Sequence, residues 1–144
     1  MLGSIILAGC VRTRRSEVTL VPNHFVGWMT VDYNVPGAPL LPWERKEKAY
    51  VIAMPADGKY QTSSPLVSGL ADDRYFWVGD AGKRTELPIA EGQSQPPSVG
   101  VQGVRFIKSA PIDGKPGREL RAFFIGSPSD YKAAPKDDAY LIRK

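Results

Sequence analysis

The chain predicts an all-β fold: an antiparallel, meander-rich β-sandwich of about seven or eight strands with a short C-terminal helix. Three observations predict it. Glycine and proline are both frequent, 14 and 13 of 144 residues, and follow no collagen-like period. They stand between short runs rich in β-branched and aromatic residues. Turn-forming steps such as Asp57-Gly58, Gly79-Asp80 and Asp113-Gly114 separate neighbouring runs, as hairpins require. A small barrel is the alternative way to close the same strands.

Val18-Thr19-Leu20-Val21 is β-branched and predicts a first strand at a sheet edge. Pro22-Asn23 turns the chain. Trp28, Thr30 and Asp32 then alternate with Met29, Val31 and Tyr33, so a half-buried strand is expected with the second set facing inward. Pro36, Pro39 and Pro42 make a stiff, extended connection, because each ring fixes its own φ and restricts the residue before it. Tyr50-Val51-Ile52-Ala53-Met54 is continuously apolar and predicts a central strand. Asp57-Gly58 leads into Lys59-Tyr60-Gln61-Thr62, and the expected arrangement is a hairpin. Arg74-Tyr75-Phe76-Trp77-Val78 is another strand, turned by Gly79-Asp80-Ala81-Gly82 into Lys83-Arg84-Thr85-Glu86-Leu87. Residues 88–99 lack periodicity and read as a mobile loop. A last hairpin pairs 101–108 with 118–125, whose Leu120, Phe123, Phe124 and Ile125 are core candidates. Ser127 is placed to cap a short helix, Pro128 suits its first position and Pro135 stops it. Ala139 to Ile142 reads as an apolar tail. Neither a repeat nor a second domain is evident. The expected divisions are a truncated lipoprotein signal over 1–10, a basic tether over 11–17 and one β domain over 18–144.

The signal reading rests on Leu7-Ala8-Gly9-Cys10. Small residues at 8 and 9 admit the backbone to a protease cleft, and the thiol of Cys10 accepts a diacylglyceryl group that anchors the protein. Only six residues precede this box, none basic, whereas a signal peptide needs a charged start and a longer apolar stretch. A precursor beginning upstream is therefore expected. The rival reading is a cytosolic protein with a buried cysteine. Val11 follows Cys10 where Asp would favour inner-membrane retention, so the expected address is the outer membrane, facing the periplasm. Val11-Arg12-Thr13-Arg14-Arg15 reads as a solvated leader that is able to meet anionic head groups.

Composition removes several function classes. With a single cysteine there is no intramolecular disulfide. With one histidine, His24, there is no His/Cys metal centre, and no cofactor is expected. His24 follows Asn23 and reads as a turn residue. No Gly-x-Ser-x-Gly elbow and no phosphate-binding Gly-Lys-Ser/Thr is present. The net charge of +4 is dispersed rather than gathered in a stripe, which argues against nucleic acid. Asp72-Asp73-Arg74 reads as loop acids salt-bridged to arginine, and Asp137-Asp138 as solvated. Most aromatics sit at strand spacing and belong to the core. Trp43 differs: it lies among prolines beside Glu44-Arg45-Lys46, so Trp43 with Arg45 is the candidate partner contact.

Phe25-Val26-Gly27-Trp28, Val35-Pro36-Gly37-Ala38-Pro39 with Leu41-Pro42, Pro55-Ala56-Asp57-Gly58, Thr62-Ser63-Ser64, Asp73-Arg74-Tyr75-Phe76, Arg84-Thr85-Glu86-Leu87-Pro88 and Phe123-Phe124-Ile125-Gly126 carry a resemblance. Over residues 20–130 the chain resembles a group of uncharacterised bacterial lipoproteins that share a domain of unknown function. The resemblance implies a secreted or lipidated β domain and no activity. The expectation is a non-enzymatic binding or structural module held to the membrane by a lipid, with a protein or glycan partner. An inhibitor or immunity lipoprotein that blocks a toxin or lysozyme through residues 88–99 is the alternative, and a hydrolase the remote one.

Overall fold

A computed structural model describes residues 13–144. Nine strands form two sheets, followed by two short helices. The strands are β1 (Glu17–Pro22), β2 (Gly27–Tyr33), β3 (Trp43–Glu44), β4 (Ala49–Ala53), β5 (Lys59–Gln61), β6 (Arg74–Val78), β7 (Arg84–Leu87), β8 (Gly100–Lys108) and β9 (Glu119–Gly126), and the helices are α1 (Pro128–Ala133) and α2 (Asp138–Arg143). One sheet runs β3-β4-β1-β6-β7 and the other β5-β2-β9-β8. The class is the expected β-sandwich, with no closed barrel. Its sheets are mixed, however, rather than an antiparallel meander.

The mixing arises at two places. Strand β1 is not an edge but the centre of its sheet, parallel to both β4 and β6. Both its faces are covered: Val21 enters the main core, while Val18 packs outside with Ala49, Val51 and Phe76. A short apolar strand buried on both faces suits a central parallel position. Asp57-Gly58 does not close a hairpin. Gly58 has φ of 73° and its amide donates to the Pro55 carbonyl at 3.0 Å, so the turn forms as its residues demand. The turn carries the chain across to the second sheet, where β5 lies parallel to β2. A side chain at Gly58 would sit 3.0 Å from the Trp28 carbonyl oxygen. Pro55 has no N–H with which to extend the β4 ladder, and local turn chemistry does not choose the sheet the chain enters next.

The two other expected hairpins form, while β2 pairs antiparallel with β9 and β3 with β4, neither of which the sequence announced. Strand β4 lies inside its sheet, between β3 and β1. The β6–β7 and β8–β9 pairs are antiparallel. The latter carries a bulge between Gln102 and Arg105, where Gly103 takes φ of 62°. The loop over 88–99 is tied at its start, since Val101 donates to the Pro88 carbonyl at 2.8 Å and Ala90 donates back to Val101 at 2.9 Å.

Met29, Val31, Tyr33, Phe123 and Ile125 face the inter-sheet core with Val21, Ile52, Tyr75 and Leu87. The opposite face of β2 and β9 is also dry. Trp28, Leu120, Ala122 and Phe124 are roofed by Leu141, with Tyr131, Ala134, Tyr140 and Ile142 packed alongside. Ser127 caps α1 as expected: its hydroxyl accepts from the Asp130 amide at 3.1 Å, and the Ser127 amide donates to the Asp130 carboxylate at 3.1 Å. The apolar tail at 139–142 is a helix, α2. Asp137, expected to be merely solvated, accepts from the Tyr140 amide at 2.7 Å and caps it. That Asp-x-x start holds the helix over the apolar face of the second sheet, which its burial of Leu141 requires. No helix among the described residues is long and apolar enough to cross a membrane.

Candidate functional site

Strands alternate their side chains, so Arg121 shares the inward face of β9 with Phe123 and Ile125. It is the largest side chain in the dry core and 1% exposed. One guanidinium nitrogen lies 3.5 Å from the Glu17 carboxylate and donates to the Tyr75 hydroxyl at 3.3 Å. The other donates to Thr19 Oγ1 at 3.0 Å. Its Nε finds no hydrogen-bond partner among the described residues. The plane rests against the Phe123 ring, 5.3 Å from its centroid. Burial alone would lower the pKa of Arg121; the Tyr75 and Tyr33 phenols and the carboxylates of Glu17 and Asp73 outweigh it and raise the pKa above its ordinary value. Tyr33 donates its hydroxyl to Glu17 at 2.8 Å, and burial chiefly pushes that phenol up. The charged cluster thus joins both sheets at the end where β1 and β6 begin.

Arg14 extends the cluster to the surface. It makes a two-pronged ion pair with Asp73, one arm at 2.9 Å, and donates to the Gly69 carbonyl at 3.2 Å. Asp73 also accepts from the Glu17 amide at 3.0 Å. The expectation of a solvated leader is therefore corrected at Arg14. A bidentate carboxylate gives that guanidinium a fixed seat. The salt-bridged reading of the 72–74 acids holds for Asp73, through Arg14; Arg74 instead reaches Glu47 and Glu86.

Burial by itself would raise the Asp73 carboxyl, but the Arg14 ion pair and the Glu17 amide hold it below the usual carboxylate range. A group whose pKa is lower folded than unfolded stabilises the fold above its unfolded value and loses that contribution as pH falls through the folded one. Asp73→Asn should thus cost about 2–3 kcal/mol at pH 7 in urea unfolding, the scale of charged hydrogen bonds. The gap from the unsubstituted protein should narrow below roughly pH 4. A gap unchanged down to pH 2 would contradict the assignment.

A cleft of about 300 Å³ opens beside this cluster, lined by Arg14, Arg15, Glu17, Leu41, Tyr50, Ser64, Pro65 and Val67. The volume is at the small end of ligand pockets. At its rim stands Trp43, 42% exposed on edge strand β3. Tyr50 supports it edge-on at 5.2 Å, and the Arg15 guanidinium lies over its ring at 4.8 Å. The expected exposure of Trp43 is seen. Its cationic neighbour is Arg15 rather than Arg45, which is exposed in the turn between β3 and β4. His24 occupies an exposed turn with φ of 66°. Cys10 and the signal segment lie outside the described residues.

Sequence reasoning missed Arg121, Glu17 and Tyr33 as a group. The available signal was an arginine on the inward register of a strand whose other inward residues are Phe123 and Ile125. Its partners come from strands remote in sequence, which periodicity does not join.

No curated protein matches the chain. A crystal structure of a candidate lipoprotein from Bacillus anthracis shares the fold, with a TM-score of 0.57 at 22% identity, over 86% of this chain and 74% of that one. A family model described as a family of unknown function, DUF6843, matches residues 13–111, a span that holds strands β1 to β8. The chain belongs to that family of unknown function.

Proposed function

We propose that this protein is a lipid-anchored, non-enzymatic binding module of the bacterial cell envelope, attached through Cys10. Its contact surface is the Trp43–Arg15 rim and the cleft beneath it, offered to a protein or glycan partner. In a cell with two membranes, Val11 after Cys10 favours the outer one. One observation carries the binding reading: a large aromatic is held half out of the fold, braced by Tyr50 and stacked by Arg15, beside a concave surface. Pre-positioned aromatic and arginine side chains next to a pocket are the groups that dominate binding energy at interfaces. A sugar would stack on that ring face in place of Arg15. The carboxylate that lines the cleft, Glu17, already faces Arg121. That disposition favours holding a ligand over acid–base chemistry.

Two measurements test the two halves. Mass analysis of the native protein should find a lipidated Cys10 as the first residue; a free thiol with Met1 retained overturns the anchor. For the cleft, purified envelope glycan and envelope proteins are each titrated against the chain and against Trp43→Ala. The substitution should weaken binding by roughly tenfold or more, as for an interface anchor, while shifting unfolding free energy by only about 1 kcal/mol. Equal affinity of the two proteins for every ligand bound would remove Trp43 from the role.

A further inference from the structure

We infer that a second surface, formed by Val67, Leu70 and Phe106 with Lys108, rests on an anionic lipid bilayer and orients the domain there. The inference rests on the lipid-anchor reading above and adds the partner of the surface that adjoins the cleft at Val67. Leu70 is 67% exposed, Phe106 54% and Val67 52%. Leu70 and Phe106 are joined through Arg14. Its amide donates to the Leu70 carbonyl at 3.0 Å, and its side chain helps line a hollow with Leu66, Gly69, Phe106 and Lys108. Val67 lines the neighbouring cleft, which Arg14 also borders. Large apolar side chains gathered about one residue, Arg14, rather than scattered singly, mark an interaction surface.

The position of the anchor says what covers it. Thr13 pairs with Leu70 in a parallel bridge. Two residues lie between Cys10 and Thr13, and an extended chain spans at most about 11 Å over the three Cα–Cα steps. A lipid on Cys10 therefore brings Leu70 to the bilayer surface, whatever path the intervening residues take. Charge agrees: Lys108 is 73% exposed and shares only a 3.6 Å surface pair with Glu119, and Arg15 is exposed nearby. Such residues favour anionic head groups. Three apolar side chains bind lipid weakly alone. Tethering makes their contact intramolecular, so a weak contact suffices to orient a domain that the lipid already holds at the membrane.

The single cysteine permits a test independent of cellular lipidation. The full chain is coupled through Cys10 to a maleimide lipid in phosphatidylglycerol-containing vesicles, and amide hydrogen exchange is compared with the uncoupled chain. Amides at 66–70 and 105–108 should slow at least severalfold, while those at 80–83, at the other end of the first sheet, keep their rates. Leu70→Glu with Phe106→Glu should abolish the slowing without changing the thermal midpoint. No slowing, slowing that survives the double substitution, or slowing reproduced by concentrated protein without vesicles would overturn the proposal. A free Cys10 in native protein would instead sink the anchor reading, and the two failures are read from different experiments.

Discussion

Arg121→Ala should destabilise the protein by about 3–5 kcal/mol in urea or thermal unfolding at neutral pH, the loss expected when one member of a buried charge cluster is removed. The truncation does more than delete a contact. It leaves the Glu17 carboxylate facing a dry core with the Tyr33 hydroxyl as its one side-chain donor among the described residues, and it strips the Tyr75 and Thr19 oxygens of their donor. Lysine should rescue poorly. Its single ammonium cannot reproduce a planar fork that reaches two strands of the facing sheet and lies against Phe123. The discriminating variant is the pair Glu17→Gln with Arg121→Met. Removing both charges relieves the uncompensated carboxylate, so the double variant should be more stable than the sum of its single losses by about 0.5–3 kcal/mol. Strict additivity would show that the two side chains do not sense each other. A loss below roughly 1 kcal/mol for Arg121→Ala would show that water reaches the cluster.

Trp28→Ala should cost a similar amount, about 3–5 kcal/mol, with a different signature. Trp28 points away from the inter-sheet core, into the layer beneath the helices. Its ring meets Phe124 at 5.5 Å and Tyr131 at 6.0 Å, and its indole nitrogen donates to the Pro135 carbonyl at 2.7 Å. Arg105 lies over the same ring at 5.4 Å. Each helix is only six residues long. Helices that short do not persist in water without packing. Losing the indole should therefore release α1 and α2 first, so that limited proteolysis cuts within 128–144 before the sandwich unfolds. Trp28→Phe keeps much of the packing and loses the hydrogen bond, at about 1 kcal/mol. Cleavage inside β2 or β9 before the helices would contradict this order.

The two sites differ in how legible they were. Trp28 stands in a strand whose alternation was plain, but period two shows only that one face is apolar, and Met29, Val31 and Tyr33 already occupied that role. What marks Trp28 as buried is the roof above it, and the roof was half read. Ser127 and Pro128 announced α1 by local chemistry, whereas the six residues of α2 are too few to show a helical period. Trp43 was legible because proline and charge surround it, a composition foreign to a core. Its stacking partner was not. Arg45 is near in sequence, but Arg15 is near in space, since the chain enters β1 beside the β3–β4 edge. Arg14 looked like one of several leader charges; only Asp73, folded back from a distant loop, gives it a fixed place.

From the sequence alone came the segments that local physics decides: the strands other than β3 by their alternation and β-branching, the turns by glycine and proline, and the cap of α1. Cys10 and the family resemblance came from it too. Tertiary structure decided which strands are neighbours. It placed β1 at the centre of a mixed sheet, sent the chain across after Gly58, and gathered Arg14, Glu17, Tyr33, Asp73, Tyr75 and Arg121 at one end of the sandwich. The reason is one of range. A turn or a cap is chosen by residues a few positions apart, whereas strand order and a buried ion cluster minimise exposed apolar area and unpaired charge over the whole chain.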